Sequence, residues 1–313
     1  MPSNLLPESL MYAVYFAPRG KDRLLNLGHQ IAQRHLSPQD KLIGFVGDSG
    51  AGKSLLIRGM FPGLELSNDD EGVRVRPLPL LANGDNTFFS SHTYHMDFRF
   101  ESAFTQPYIL VEAVRHAVEQ GKRVVIEHFE LIYPHLGMNA EMLIGIGEEV
   151  IVTRPNIFGP KPGDLAEIVF KSIHSRKMAQ TAEDLTCKIL DTRCGFEQQL
   201  IHADVKNGFV LEFPQKPEID LGWLEEKVKE YIQKKLPVSY EDEDHIKIGD
   251  ELLYCTGPRI HVRNTAEIDN FRLLHEFWYD PIHKVYALVG LVGRDKIEDL
   301  KDLNKLGLYS LDN

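Results

Sequence analysis

A glycine-rich loop separates an apolar run from a helical pattern near the start of the chain, and it constrains the fold more than any other feature. Residues 41–46 form the apolar run, the helical pattern extends from Lys53 to Met60, and the loop reads Gly47-Asp48-Ser49-Gly50-Ala51-Gly52-Lys53-Ser54. A short apolar run bounded by glycine is typical of a buried strand. The order strand, glycine loop and helix is the context that a phosphate-binding loop requires.

The spacing G-x-x-x-x-G-K-S of residues 47–54 has a direct physical meaning. Glycines let the backbone wrap around a phosphate with its N–H groups inward, and the helix N-terminus adds partial positive charge. Lys53 is expected to reach the β- and γ-phosphates, and Ser54 to offer its hydroxyl to Mg²⁺. We therefore expect this loop to bind a nucleoside triphosphate, ATP with Mg²⁺.

Two acidic residues at predicted strand ends are candidates for holding the metal and the nucleophile. Asp97 lies in Tyr94-His95-Met96-Asp97-Phe98-Arg99, near the end of a strand predicted over Thr93–Phe100, and Glu127 ends the run Val124-Val125-Ile126. Mg²⁺ prefers oxygen ligands, and chemistry at a γ-phosphate needs a residue that activates the nucleophile. The alternative for each is a carboxylate that caps a helix or faces solvent, and the residues alone leave both open.

Composition places the chain among globular proteins with an acidic surface. Hydrophobic residues make up 43%, and 46 Asp+Glu against 35 Lys+Arg give a net charge of −11, which argues against non-specific coating of nucleic acid. Three cysteines suit a reducing compartment better than a disulfide framework. We find no signal-peptide pattern and no apolar run of about 18 residues, so we expect a cytoplasmic location and no membrane partner.

The order of predicted elements indicates two domains. Strands alternate with helices in the first half, with helices predicted at Leu25–His35 and Pro107–Gln120 and strands at Lys122–Glu127 and Glu149–Thr153, around an irregular segment Ser67–Asn86. This alternation predicts an α/β domain with a mainly parallel or mixed sheet. The proline- and glycine-containing segment 154–163 predicts the boundary, which gives domains at 1–160 and 165–313.

The second half predicts a mixture of helices and strands. A long helix at about 166–190 precedes a strand at Gly208–Phe213, a helix at Leu221–Lys235, strands as far as Val292 and a polar helix at Asp295–Leu306. The acidic segment Glu241–Asp244 allows an ion site or a solvated loop.

The first half resembles the small bacterial ATPase family of tRNA threonylcarbamoyladenosine biosynthesis, from about Lys21 to Pro134. The likeness rests on Leu27-Gly28, the loop at 47–54, the segment 94–99, and Ile126-Glu127-His128-Phe129-Glu130, where the family has Ile-Glu-Trp-Pro-Glu. It implies a P-loop NTPase three-layer domain in which Asp97 and Glu127 organise metal and water. The family's Ser-Pro-Thr-Phe switch segment has no counterpart in Pro77–Phe89.

The second half resembles the second additional domain of alanyl- and threonyl-tRNA synthetases, an α+β module that edits mischarged tRNA. The family's Cys-Gly-Gly-Thr-His-Val and Asn-Thr-Gly-Glu-Ile correspond here to a segment that begins Cys255-Thr256-Gly257-Pro258-Arg259-Ile260-His261-Val262 and continues Asn264-Thr265-Ala266-Glu267-Ile268. The resemblance implies tRNA or an aminoacyl or nucleotide ligand as a partner.

The zinc ligands of that editing family are altered in this chain. The family's helix motif His-Thr-Ala-x-His reads Gln180-Thr181-Ala182-Glu183-Asp184, and five residues rather than three separate Cys255 from His261. Zinc prefers nitrogen and sulfur ligands, so Asp184, Cys255 and His261 would form a degenerate site, with His174 as a substitute ligand. We expect the module to keep its shape and to have lost or changed its chemistry.

Three functions are consistent with these features. The first is a slow Mg²⁺-dependent ATP hydrolase, coupled to a module that recognises tRNA or an aminoacyl group, with Lys53, Asp97 and Glu127 as its catalytic residues. The second is a P-loop kinase that phosphorylates a nucleoside-like small molecule, with Asp97 as the base. The third is a non-catalytic binding protein gated by nucleotide.

Overall fold

The computed structural model describes residues 12–67, 78–81, 92–195, 201–257 and 259–293. The chain divides into two compact units, of which the first ends at Ile173 and the second begins at His174. This division lies within a long helix, beyond the segment 154–163 in which the sequence predicts the boundary.

The first unit is a mixed α/β structure. Its helices and strands are, in chain order, β1 Tyr12–Phe16, α1 Lys21–His35, β2 Leu42–Gly47, α2 Lys53–Met60, β3 Thr93–Asp97, α3 Phe98–Glu101, α4 Pro107–Glu119, β4 Arg123–Glu127, α5 Phe129–Leu136, β5 Met142–Ile146, β6 Glu149–Thr153 and the start of α6 Pro162–Cys194. The six strands form one sheet in the order β1-β6-β5-β2-β4-β3. Strands β5, β2, β4 and β3 are parallel to one another, whereas β6 pairs antiparallel with β5 on one side and with β1 on the other.

Alternating side chains of the sheet build a core on each of its faces. On one face Ile43 and Phe45 of β2 belong to the core that includes Leu24 of α1 and Ile57 of α2. On the other face Leu42 and Val46 belong to the core that includes residues of α4 and α5. Successive residues of a strand point to opposite faces, so a strand that is buried throughout, as β2 is, needs helices on both sides.

Helices α1 and α2 approach each other closely through two glycines. A Cβ on Gly28 would overlap the carbonyl oxygen of Leu56, and one on Gly59 would overlap that of Leu25. Only glycine permits this approach, which fixes α2 and the loop in front of it against α1.

The parallel strands present their carboxyl ends at one edge of the sheet. The register pairs Phe45 of β2 with Glu127 of β4, and Glu127 with Asp97 of β3. The glycine-rich loop continues from β2 at the same edge. In open α/β sheets ligands bind beyond the carboxyl ends of the strands, so the fold gathers the loop and both acids where a ligand is expected.

The second unit combines helices with two antiparallel sheets. Besides the remainder of α6, its elements are β7 Ile201–Val205, β8 Gly208–Phe213, α7 Leu221–Gln233, β9 Val238–Tyr240, β10 His245–Ile248, β11 Glu251–Tyr254, β12 Arg272–Leu273, β13 Trp278–Asp280 and β14 Val285–Leu291. One sheet has the order β12-β14-β8-β7 with β13 also paired to β14, and the other has the order β11-β10-β9. Its core contains Leu185 of α6, Leu224 of α7 and Leu211 of β8.

Most predicted elements are confirmed, and one needs correction. The strand predicted over Thr93–Phe100 ends at Asp97, because the Asp97 side chain accepts a hydrogen bond of 3.0 Å from the backbone N–H of Phe100 and starts helix α3. Most of the segment Ser67–Asn86 and the whole helix predicted at Asp295–Leu306 lie outside the described residues.

Candidate functional site

The loop after β2 has a backbone that only glycine adopts easily. Gly50 and Gly52 have φ angles of 78° and 97°, in the left-handed region that L side chains disfavour. A Cβ on Gly52 would also overlap Cδ2 of Leu24. The loop thereby turns tightly from Gly47 into Lys53, the first residue of α2, and leaves the amino-terminal end of that helix at the sheet edge.

Lys53 folds its side chain back over the loop. Its Nζ donates hydrogen bonds of 3.0 Å to the carbonyl oxygen of Gly47 and 3.1 Å to that of Asp48, and lies 3.8 Å from Oε2 of Glu127. The side chain of Asp48 in turn accepts a hydrogen bond from the backbone N–H of Ser49. A buried ammonium, 5% exposed, therefore stands at the mouth of the loop, where an anion would meet it.

Glu127 is the centre of the polar contacts at this edge. Its Oε1 accepts a hydrogen bond of 2.8 Å from the Ser54 hydroxyl and one of 3.3 Å from Nε2 of His95. Burial alone raises the pKa of Glu127, but the hydrogen bond and the charge of His95, the charge of Lys53 and the hydrogen bond from Ser54 outweigh it and lower the pKa to about 2. The carboxylate is therefore ionised at neutral pH, although Glu127 is only 2% exposed.

His95 is held in one tautomer by its two partners. Its Nδ1 lies 3.0 Å from the backbone nitrogen of Ser67, which can only donate, so Nδ1 accepts and carries no proton. The proton must then lie on Nε2, where it points at the carboxylate of Glu127. His95 therefore reaches Oε1 of Glu127 through a hydrogen bond, while Lys53 places a positive charge near Oε2.

The role of His95 beside Glu127 was not predicted from the sequence. The signal was present, because residues two apart in a strand share a face, and His95 lies two residues before Asp97 in β3. Asp97 itself is buried at 8% exposure, and its backbone N–H donates to the hydroxyl of Ser67. Its side chain caps α3, which was one of the two alternatives that the sequence left open for this residue. Asp97 also pairs with Glu127 across β3 and β4, so it lies at the same edge of the sheet.

The arrangement can bind a phosphate and a divalent cation. Lys53 and the amino-terminal end of α2 favour an anion. The Ser54 hydroxyl donates a hydrogen bond to Glu127, so the lone pairs of the Ser54 oxygen remain available to a cation. The structure thus brings together Lys53, Ser54 and Glu127, and places Asp97 one strand further along the sheet.

A second polar cluster, partly buried, lies in the second unit. Gln180 and Asp184 lie one turn apart on α6, Cys255 follows β11, and His261 follows six residues later. His261 Nε2 lies 2.7 Å from Asp184 Oδ2 and 3.8 Å from Cys255 Sγ. Gln180, Asp184, Cys255 and His261 therefore lie next to one another in this chain.

The donor set fits a zinc ion only in part. Zinc bonds of about 2.3 Å to sulfur and about 2.0 Å to nitrogen at tetrahedral angles place those two ligand atoms about 3.5 Å apart, close to the distance between Cys255 and His261. The amide nitrogen of Gln180, however, donates to Asp184 at 3.0 Å and lies 3.5 Å from Cys255 Sγ, so it turns hydrogens rather than a lone pair toward the cluster. Burial and the negative charge of Asp184 raise the pKa of the Cys255 thiol well above its usual range.

Two other metal candidates do not join this cluster. Among the described residues, the group of possible ligands whose atoms lie within 4.8 Å of one another consists of Asp184, Cys255 and His261. His174 is exposed and lies outside that group. The segment Glu241–Asp244 is an exposed loop between β9 and β10, in which Asp242 accepts hydrogen bonds from Asp244 and His245.

Comparison with protein-family models gives no match, and comparison with curated protein sequences gives none either. Among the described helices, none combines the length and the apolar character that crossing a membrane requires.

Proposed function

We propose that the first unit is a P-loop NTPase domain that binds ATP with Mg²⁺ and hydrolyses it slowly. The observation that carries the proposal is the contact of Ser54 with Glu127 beside Lys53 at the carboxyl end of the sheet. A lysine, a helix-starting serine and a neighbouring ionised carboxylate are the groups that a bound nucleotide–metal pair requires.

Each residue has a specific task in this proposal. Lys53 leaves the carbonyl groups of the loop and binds the β- and γ-phosphates, while the N–H groups of residues 47–54 surround them. Ser54 and Asp97 hold Mg²⁺, which neutralises charge on the phosphates when it is bound. Glu127 keeps the Ser54 hydroxyl oriented and orients the water that attacks the γ-phosphate.

The second unit supplies the coupling in this proposal. The resemblance of residues 255–268 to the editing family, together with the cluster of Gln180, Asp184, Cys255 and His261, supports a module that recognises tRNA or an aminoacyl group. ATP turnover would then rise when the correct tRNA is present. Because a fold does not fix a function, hydrolysis should be measured with and without total tRNA.

Calorimetric titration with ATP and Mg²⁺ tests the binding site. Lys53→Ala should abolish measurable binding, because it removes the cation of the loop. Lys41→Ala is the matched control, since Lys41 precedes β2 at the other end of the strand. Circular dichroism must show that both variants remain folded. Unchanged affinity in folded Lys53→Ala would sink the proposal.

The labelled product distinguishes hydrolysis from the kinase alternative. Asp97 lies level with Glu127 on the adjacent strand, so it could accept the proton of an acceptor hydroxyl. Incubation with ATP labelled at the γ-phosphate and a panel of nucleosides should release free phosphate. A labelled organic product would identify a kinase, and tight binding without turnover, also with tRNA, would identify a nucleotide-gated binding protein.

A further inference from the structure

His95 connects Glu127 to Ser67, which lies 28 residues before His95 in the sequence. Its ring is buried, with Nδ1 3.0 Å from the backbone nitrogen of Ser67 and Nε2 3.3 Å from Oε1 of Glu127. The hydroxyl of Ser67 accepts a further hydrogen bond from the backbone N–H of Asp97. Residue 67 therefore fixes both the ring of His95 and the backbone at Asp97.

The two oxygens of Glu127 have different partners. Oε1 accepts from both His95 and Ser54, whereas Oε2 faces Lys53 at 3.8 Å. Two donors on one oxygen restrict rotation of the carboxylate. The last torsion angle of glutamate is soft, so the second donor narrows the range of orientations that the carboxylate adopts.

We propose that His95 is the positioning residue for Glu127, and that its Nε2–H keeps the carboxylate directed at Ser54 and at the attacking water. This inference rests on the proposed function. His95 does not touch the nucleotide and transfers no proton. It acts through Glu127, and Ser67 acts through His95 by donating its backbone N–H to Nδ1.

Two substitutions separate the two ring nitrogens. His95→Gln retains an N–H donor near the position of Nε2 and loses the acceptor for Ser67. His95→Asn retains an acceptor near the position of Nδ1 and loses the donor to Glu127. The exposed His116, on α4, provides the control His116→Asn.

The full-length chain is assayed for phosphate release over a range of ATP concentrations with Mg²⁺. His95→Asn should lower kcat about tenfold or more while KM for ATP changes less than about threefold, since misplaced catalytic groups affect the chemical step. His95→Gln should recover most of the lost kcat. In a Glu127→Gln background, His95→Asn should have no further effect on kcat, because a residue that acts through Glu127 cannot act without its carboxylate.

Several results would overturn the inference. These are an unchanged kcat in His95→Asn, an equal loss in both His95 variants with lowered thermal stability, or additive losses with Glu127→Gln.

The ¹⁵N NMR spectrum of the histidine rings gives a readout without turnover, with the His95 signals identified by their loss in His95→Asn. We expect Nε2 to carry a proton and Nδ1 to act as the acceptor, and we expect the Nε2 signal to shift in Glu127→Gln. If the wild-type chain releases no phosphate, the proposed function fails, while the spectrum still decides whether His95 donates to Glu127.

Discussion

The hydroxyl of Ser54 donates a hydrogen bond of 2.8 Å to Oε1 of Glu127, the last residue of β4, which neighbours β2 in the sheet. This bond ties the first turn of α2 to the end of β4. It also orients the hydroxyl so that its lone pairs remain available. The relationship links the loop to an acid 73 residues away and gives Glu127 a task that can be measured.

Glu127→Gln tests that task, because it keeps the shape of the side chain and removes its charge. We expect kcat for ATP to fall about 100-fold or more, since an oriented carboxylate contributes on that scale. ATP affinity should hold or rise, because Lys53 no longer faces a carboxylate. Phosphate release at saturating Mg²⁺ and ATP measures the first, and calorimetry the second. Glu119→Gln on the exposed end of α4 is the control, and equal turnover in both variants would favour the nucleotide-gated binding protein.

Gly52→Ala tests the need for glycine in the loop. A left-handed φ costs about 1–2 kcal/mol for an L residue, and the new Cβ would also overlap Leu24. Gly63→Ala is the matched control, because Gly63 has a φ of 83° but nothing within 4 Å of its Cβ position. We expect Gly52→Ala to lose about 1–3 kcal/mol more stability than the control and at least about tenfold in ATP affinity. Equal thermal melts and equal affinities would show that the loop tolerates a side chain.

Local patterns predicted the parts of this site that depend on neighbouring residues. The glycine spacing placed β2 and α2, and the apolar run before Glu127 placed that acid at a strand end. The partners of His95 could not be predicted, because they depend on the register of β3 against β4 and on the position of Ser67. The length of β3 was predicted wrongly, since strand propensity continues past Asp97 while its side chain caps a helix.

The place of β1 at the edge of the first sheet could not be predicted from the sequence either. Strand β1 pairs antiparallel with β6, so its place depends on residues about 140 positions later in the chain. In the second unit the family resemblance predicted that Asp184, Cys255 and His261 lie together, as they do. It could not predict the hydrogen bonds among them, which the amide of Gln180 and the carboxylate of Asp184 make.

Acid should selectively remove the stability that Glu127 provides. Its pKa is about 2 in the folded chain against 4.5 ordinarily, so folding favours the carboxylate. The contribution is complete above about pH 4.5 and is lost as the pH falls toward 2, a difference of roughly 3 kcal/mol. The advantage of wild type over Glu127→Gln should therefore shrink over that range.

Urea unfolding at several pH values, followed by far-ultraviolet circular dichroism, measures this advantage. Tryptophan fluorescence would not serve, because the chain has 2 tryptophans, Trp223 and Trp278, and both belong to the second unit. An advantage that stays constant down to pH 2 would mean that Glu127 is not stabilised in its charged form.

The cluster in the second unit should bind zinc weakly, because Gln180 is a poor zinc ligand and the Cys255 thiol holds its proton. Gln180 turns N–H groups toward Asp184 and Cys255, and Asp184 is already hydrogen-bonded to Gln180 and His261. We expect purified protein to contain well under one zinc per chain by mass-spectrometric metal analysis.

The double variant Gln180→His, Asp184→His should supply two nitrogen ligands and raise the affinity for zinc at least about 100-fold, measured by competition with a chromophoric chelator. His174→Gln, which changes an exposed histidine of the same helix, should leave affinity unchanged. Stoichiometric zinc in the wild-type chain that is lost in Cys255→Ala would instead establish an intact metal site with an unusual carboxylate ligand.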